Sequence, residues 1–164
     1  MILQRASELA IRAMLFLAQQ APGQLSPVHE IAEHVGASEA YLAKILQRLA
    51  RVGLVHSFRG PGKGMELGQT PSSITLASLI RVVEGPKTED DCVLGLEICA
   101  EEAPCALHKE WVPIRTAIRE LLEETTLADL AEIVRSRASK PGTQLINGSE
   151  SPVAALVSRG RRHP

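Results

Sequence analysis

The sequence predicts a mainly α-helical fold in which a helix-turn-helix is followed by a small β-hairpin, a cysteine-bearing loop and a long helix. Three observations support this prediction. Several stretches repeat apolar residues with helical spacing behind a capping residue, a glycine-rich tip interrupts them, and a later apolar stripe has the spacing of a coiled-coil seam. The 164 residues suffice for one domain with an attached element.

Two short helices follow a first helix that is predicted over about residues 5–20. Ser26 can cap the second helix, with Pro27 at its first position, and Gly36 ends it. Ser38 can cap the third helix, which ends before Gly53. The two apolar stripes are Val28, Ile31, Ala32 and Val35, then Leu42, Ile45, Leu46 and Leu49. Two helices joined by so short a turn predict a helix-turn-helix.

The next segment, LVHSFRGPGKGMELG, has short apolar pieces on both sides of a glycine-rich tip. A helix cannot continue through the tip, because it contains Gly60, Pro61, Gly62 and Gly64. We therefore expect a two-stranded hairpin, or wing, with Arg59 and Lys63 near its end.

Three more helices are expected after the wing. The first has a stripe from Leu76 to Val83 and ends at Gly85. The second has coiled-coil spacing, which suits a partner helix, and Pro113 either starts its regular part or kinks it. The last is short. The stripes of the second and third are Leu107, Trp111, Ile114, Ile118 and Leu121, then Leu127, Leu130, Ala131 and Val134.

Four regions follow from these elements. Residues 1–86 form a winged helix-turn-helix domain, residues 87–108 a cysteine-bearing loop, and residues 109–138 the helices for dimerisation. The polar segment 139–164 is expected to be a flexible tail.

Charge is distributed unevenly although the net charge is only -1. Residues 1–68 carry seven Lys and Arg against five Asp and Glu, whereas residues 84–132 carry four against thirteen. The front part is therefore better suited to approach a polyanion. Only four aromatic residues occur, which argues against single-strand recognition by base stacking.

The cellular compartment is predicted from the lack of a membrane-spanning run and of an export signal in the sequence. No run of apolar residues is long enough to span a bilayer, and the N-terminus lacks a basic and then apolar export signal. A cytoplasmic protein with no membrane partner is expected. Structural disulfides are disfavoured there, so clustered thiols indicate metal binding or redox sensing.

The cysteines are confined to the segment CVLGLEICAEEAPCALH, in the pattern C-x6-C-x5-C-x2-H. Its acidic, loop-like composition is not that of a buried core, although a single cysteine is often only a small buried hydrophobe. Thiolates close together in one loop can converge on a metal centre. Zinc and an iron-sulfur cluster both fit this donor set. The candidate ligands are Cys92, Cys99, Cys105 and His108.

The third helix and the wing together indicate binding to double-stranded DNA. A packed helical corner is the alternative for the helix pair alone, but a cationic glycine-rich wing suits insertion into a minor groove. Arg48 and Arg51 lie further along the third helix and are interpreted as solvated. The candidate DNA contacts are Ser38, Ala40, Tyr41, Lys44, Arg59 and Lys63.

These residues resemble a known family. The run SEAYLAKILQRLARVGLVHSFRGPGKGMELG, then ITLASLIRVVEG and three cysteines, resembles the bacterial winged-helix repressors that include the iron-sulfur assembly regulator and the nitric-oxide-sensing repressor. The resemblance covers residues 1 to about 135. It implies a homodimer that reads a palindromic operator and holds one cluster, [2Fe-2S] or [4Fe-4S], per subunit. Loss or modification of the cluster would change the affinity for DNA.

Matched by position, the resemblance makes the three cysteines cluster ligands. The fourth ligand varies within the family, and both His108 and Glu8 match candidate positions. The resemblance places DNA contacts at Ser38, Ala40, Tyr41 and Arg59.

Three other functions stay open at this point. Some family members lack the cysteines and are controlled by a partner enzyme, which the three thiols here argue against. A zinc-stabilised nucleic-acid-binding protein would use the same donor set. An iron-sulfur protein for redox chemistry or electron transfer would leave the helix-turn-helix and the wing without a purpose. The prediction is therefore a regulator and not an enzyme.

Overall fold

The computed structural model describes residues 3–60, 62–85, 92, 94 and 104–138. Within these residues the chain is mainly helical with one small antiparallel sheet, which confirms the predicted fold class. The helices are α1 (Arg5–Ala18), α2 (Val28–Val35), α3 (Glu39–Arg51), α4 (Leu76–Glu84), α5 (His108–Glu124) and α6 (Leu127–Ala138). The strands are β1 (Val55–Phe58) and β2 (Gly64–Leu67), and a short 3-10 helix spans Pro71–Ser73.

The helix-turn-helix consists of α2 and α3, and one detail of its predicted start is wrong. Gly36 ends α2 in the left-handed conformation that glycine adopts readily, with φ of 68°. The residue that precedes α2 is Pro27 and not Ser26. Ser26 is buried and pairs with Met65 of β2, through N–H to carbonyl hydrogen bonds of 2.9 Å in both directions. This pairing engages the backbone of Ser26 and keeps it outside the helix.

Close backbone approaches attach the wing to the helix-turn-helix. The strands pair with Val55 opposite Leu67 and Phe58 opposite Gly64. A Cβ atom on Gly64 would lie 2.9 Å from the Cβ of Leu25, and one on Gly68 would lie 2.3 Å from the carbonyl oxygen of Gly53. Both positions therefore require glycine because no side chain fits. The second strand is therefore held close to the residues that flank the helix-turn-helix at both of its ends.

A single hydrophobic core lies between α1 and the helices around it. α1 packs against α2, α3, α4 and α6. Leu127 of α6 is completely buried in the same core. Two backbone hydrogen bonds join the start of α4 to the start of α6. Leu76 N–H donates to the carbonyl of Thr125 at 3.0 Å, and Leu127 N–H donates to the carbonyl of Ile74 at 2.8 Å. The last helix therefore packs against the first one.

Helix α5 differs from the others because none of its residues is buried. It begins at His108, so Pro113 lies inside it, and the proline leaves one carbonyl of the preceding turn without its usual helical donor. On its predicted seam, Ile114 is 51% exposed and Leu121 is 63% exposed. An ion pair of 2.7 Å between Arg81 and Glu123 joins α4 to α5. No helix in the described ranges combines the length and apolarity that crossing a bilayer requires.

Candidate nucleic-acid interface and cysteine segment

The N-terminal half of α3 presents the predicted DNA contacts on the protein surface. The helix packs into the core through Leu42, Ile45, Leu46 and Leu49. Tyr41 is 43% exposed, and Ala40 and Lys44 are exposed as well. Ser38 occupies the N-cap position as predicted, but its side chain makes no capping hydrogen bond. This end of α3 therefore offers two hydroxyl groups and one ammonium group to a ligand.

The wing tip adds two cationic side chains to this surface. Arg59 and Lys63 are both exposed on either side of the tip. A turn closes between them, in which Lys63 N–H donates to the carbonyl of Gly60 at 3.0 Å. Gly60 and Gly62 have φ of 101° and 73°, which a residue with a side chain rarely adopts. The wing follows α3 directly in the chain, and β1 packs against α3.

The charges at this surface suit a polyanion on balance. Lys44, Arg51, Arg59 and Lys63 are exposed cations of α3 and the wing. Glu39, in the first turn of α3, is an exposed acid among them. Ammonium and guanidinium groups bind phosphate oxygens, and hydroxyl groups donate to phosphates or base edges. The arrangement provides both kinds of contact that a duplex needs.

The cysteine segment is described in part. Cys92 is 7% exposed, Cys105 is half-buried, and Cys99 lies outside the described residues. His108 N–H donates to the carbonyl of Cys105 at 3.0 Å, so a turn joins the third cysteine to the histidine that starts α5. Among the described residues, no three His, Cys, Asp or Glu side chains are grouped closely enough to hold a metal.

Glu8, the alternative fourth ligand, lies on α1 and takes part in ion pairs. Its Oε1 lies 2.8 Å from Nη1 of Arg5 and 3.6 Å from Nη1 of Arg12. The side chain is partly exposed, so these pairs stabilise the fold only weakly. Within one chain, the carboxylate of Glu8 is therefore paired with two guanidinium groups.

The sequence interpretation missed a contact of α3 with the end of α4. Nη1 of Arg48 donates a hydrogen bond to the carbonyl of Val83 at 3.1 Å. The sequence alone indicates a solvated arginine here, because the two residues are 35 positions apart and no local pattern links them. The contact becomes apparent only from the packing of the helices, which brings a basic side chain of α3 to the C-terminus of α4.

Two regulators of Bacillus subtilis are similar to this chain over most of its length. It is 37% identical to the HTH-type transcriptional regulator CymR over 118 residues. The aligned residues cover 72% of this chain and 80% of CymR. It is 31% identical to the HTH-type transcriptional regulator NsrR over 138 residues. The aligned residues cover 80% of this chain and 91% of NsrR.

Solved structures of regulators are similar in fold. The structure of CymR, titled the global cysteine regulator of B. subtilis, superposes with a TM-score of 0.67 at 33% identity, covering 80% of this chain and 96% of CymR. The structure of T. potens IscR superposes with a TM-score of 0.66 at 27% identity, covering 86% of this chain and 93% of IscR. These similarities are to transcriptional regulators and not to enzymes. The family model Rrf2, described as an iron-dependent transcriptional regulator, matches residues 3–133, and the chain therefore belongs to this family of transcriptional regulators.

Proposed function

We propose that the protein is a homodimeric repressor that binds a palindromic operator and is controlled by an iron-sulfur cluster. The observation that carries the proposal is the combination of an exposed recognition helix and a cationic wing with a cysteine segment that follows α4. Because operator DNA lies in the cytoplasm of a bacterium, the proposed site of action is the cytoplasm.

DNA recognition is assigned to the exposed side chains of α3 and the wing. Ser38 and Tyr41 donate hydrogen bonds to phosphates or base edges, and Lys44 neutralises a phosphate. The small side chain of Ala40 lets α3 approach the floor of the major groove. Arg59 enters the minor groove from the wing, where a narrow groove concentrates negative potential. Lys63 on the other side of the tip adds a phosphate contact.

The donor chemistry of the cysteine segment fits an iron-sulfur cluster. Thiolates are the usual ligands of such clusters, and an imidazole can replace one of them. Cys92, Cys99 and Cys105 would supply the thiolates, and His108 the fourth donor, since the turn from Cys105 keeps it nearby. When bound, the cluster supplies a centre whose redox state and ligands respond to iron, oxidants or nitric oxide. The chain itself contributes the thiolates and the partly buried surroundings.

Dimerisation is assigned to the exposed seam of α5. Ile114 and Leu121 are apolar, exposed and spaced for a partner helix. A two-fold axis between two copies would place two recognition helices on successive turns of DNA, which is the arrangement that a palindromic operator requires.

The proposal is tested by the visible spectrum and DNA affinity of anaerobically purified protein. A coloured protein that loses its absorbance in the Cys99→Ala variant supports the cluster. Apo and cluster-loaded protein are then titrated against the operator, and we expect their affinities to differ by about 5- to 150-fold. His108→Ala and Glu8→Ala are compared for loss of absorbance, and we expect the larger loss for His108→Ala.

Three outcomes would contradict parts of this proposal. A colourless protein that contains stoichiometric zinc would favour a zinc-stabilised DNA-binding protein. A colourless, metal-free protein that binds its operator would favour control by a partner protein. Equal affinity of apo and loaded protein for the operator would exclude control by the cluster.

A further inference from the structure

The C-terminal end of α4 is held by α3 and by the residue that precedes α1. Arg48 of α3 donates to the carbonyl of Val83, and Oε1 of Glu84 accepts a hydrogen bond of 2.9 Å from the backbone N–H of Gln4, which precedes α1. The last carbonyls of a helix lack donors within the helix, and a guanidinium group is suited to this negative end of the helix dipole. The end of α4 is therefore attached to both α3 and α1.

Arg48 lies on the same face of α3 as the candidate DNA contacts. Tyr41, Lys44 and Arg48 follow one another at intervals of three and four residues, which places them along one side of a helix. All three are exposed. One side of α3 therefore carries DNA contacts near its N-terminus and the contact with α4 near its C-terminus.

The cysteine segment follows this end of α4 in the sequence. The helix ends at Glu84, and Gly85 turns the chain with φ of 97°. Cys92, which follows, is buried. Because Cys92 follows Gly85 by only seven positions in the sequence, we expect a change in its ligation to affect the end of α4. The contact of Glu84 with Gln4 reaches α1 one turn before Glu8, so both candidate fourth ligands belong to elements joined to this helix.

We propose that Arg48 is a positioning residue that couples the cysteine segment to the recognition helix. By binding the carbonyl of Val83, it makes the position of α3 depend on the end of α4. The inference rests on the proposed function, for which it supplies a route of regulation. Without this contact, α3 still reaches DNA through its N-terminal half, but its position responds less to the state of the cysteine segment.

The first test measures the operator affinity of Arg48→Gln in the apo and cluster-loaded forms of the full chain. We expect the ratio between the affinities of the two forms to be about two- to tenfold smaller than in the wild type, and so closer to one. This is the effect of losing one hydrogen bond of ordinary strength. Arg48→Lys keeps the charge and a donor, and it should retain part of the ratio.

Arg51→Gln is the matched control for the lost positive charge. Arg51 is exposed on the last turn of the same helix. Its substitution should weaken DNA binding of both forms equally, with an unchanged ratio. A purely structural role of Arg48 would lower the melting temperature and both affinities together, and would leave the ratio unchanged as well.

A second test uses apo protein alone, since coupling between two sites is reciprocal. The rate of iodoacetamide alkylation of Cys92 is followed by peptide mass spectrometry, which separates it from Cys99 and Cys105. Operator DNA should change this rate in the wild type and leave it unchanged in Arg48→Gln.

The outcomes separate the inference from the proposed function. If Arg48→Gln keeps the wild-type affinity ratio, or if operator DNA still changes the Cys92 rate in that variant, the inference is overturned and the proposed function stands. If the wild-type apo and loaded forms bind the operator equally, both are overturned.

Discussion

Arg59 and Arg48 show that two arginines of the same surface can have different tasks. Arg59 is exposed beside the glycines of the wing tip, and its guanidinium group is therefore accessible to a ligand. Arg48 is already engaged by the carbonyl of Val83. An arginine at a helix C-terminus can stabilise the fold, whereas an exposed arginine at the tip of a wing is available to bind a phosphate.

Replacement of Arg59 by Ala should therefore weaken operator binding without affecting stability. If Arg59 reads a groove edge, we expect the binding free energy to weaken by about 1 to 3 kcal/mol. If it mainly binds phosphate, we expect the slope of log affinity against log salt concentration to fall in magnitude by about one. Fluorescence anisotropy across a salt series measures both quantities. Arg135→Ala, which removes an exposed cation from α6, is the control and should change neither. Unchanged binding of Arg59→Ala at every salt concentration would exclude Arg59 from the interface.

At the scale of elements, α5 is the one α-helix of the described chain without a buried residue. Its contacts with α4 include the ion pair of Arg81 with Glu123, and an exposed pair of this kind stabilises only weakly. Ile114 and Leu121 of its apolar seam are exposed to water. A second copy that covers Ile114 and Leu121 would remove this exposure.

A charged residue at Leu121 should consequently separate the dimer while the monomer stays folded. Leu121 is 63% exposed, so Leu121→Glu removes little packing within the chain, but it would bury a carboxylate at the proposed seam. Sedimentation at micromolar concentration should show a monomer, and specific operator binding should weaken in parallel. Glu120→Gln, at the neighbouring exposed position, is the control. A wild-type monomer with intact operator binding would contradict this assignment.

At the scale of the whole molecule, α6 contributes to the same hydrophobic core as the winged helix-turn-helix. Leu127 is completely buried among residues that include Leu9 and Leu46. The side chain and backbone N–H of Thr126 donate to Asp129 at the start of the helix, which also holds the pKa of this exposed carboxyl below its usual value. The helix α6, which lies beyond the cysteine segment in the sequence, is thus part of the same packed unit as the first helix.

This arrangement predicts that removing Leu127 destabilises the entire domain. Leu127→Ala should lower the free energy of unfolding by about 2 to 5 kcal/mol, because it leaves a cavity in a packed core. Ile133→Ala on the exposed side of the same helix should change it by less than about 0.5 kcal/mol. Urea denaturation followed by circular dichroism measures both. A separate, earlier transition for α6 in the wild type would show that it folds independently of the core.

The local sequence is sufficient to predict most of the elements of this protein. The apolar stripe of α3, the left-handed Gly36 before it and the glycines of the wing tip all act within a few residues. Helical periodicity and turn chemistry depend on near neighbours, and they therefore predict the helix-turn-helix and the hairpin correctly. The spacing of the cysteines indicates a shared centre, which stays a prediction because Cys99 lies outside the described residues.

The features that required the folded chain join segments far apart in sequence. Ser26 pairs with Met65 instead of capping α2, and Arg48 binds the end of α4 instead of water. Leu127 enters a core that begins with α1. Each local pattern is compatible with several such arrangements, because a backbone N–H or a guanidinium group forms equally good hydrogen bonds with different acceptors. Packing of the complete core selects one acceptor, because the folded arrangement buries the apolar stripes of α1, α2, α3 and α4 together.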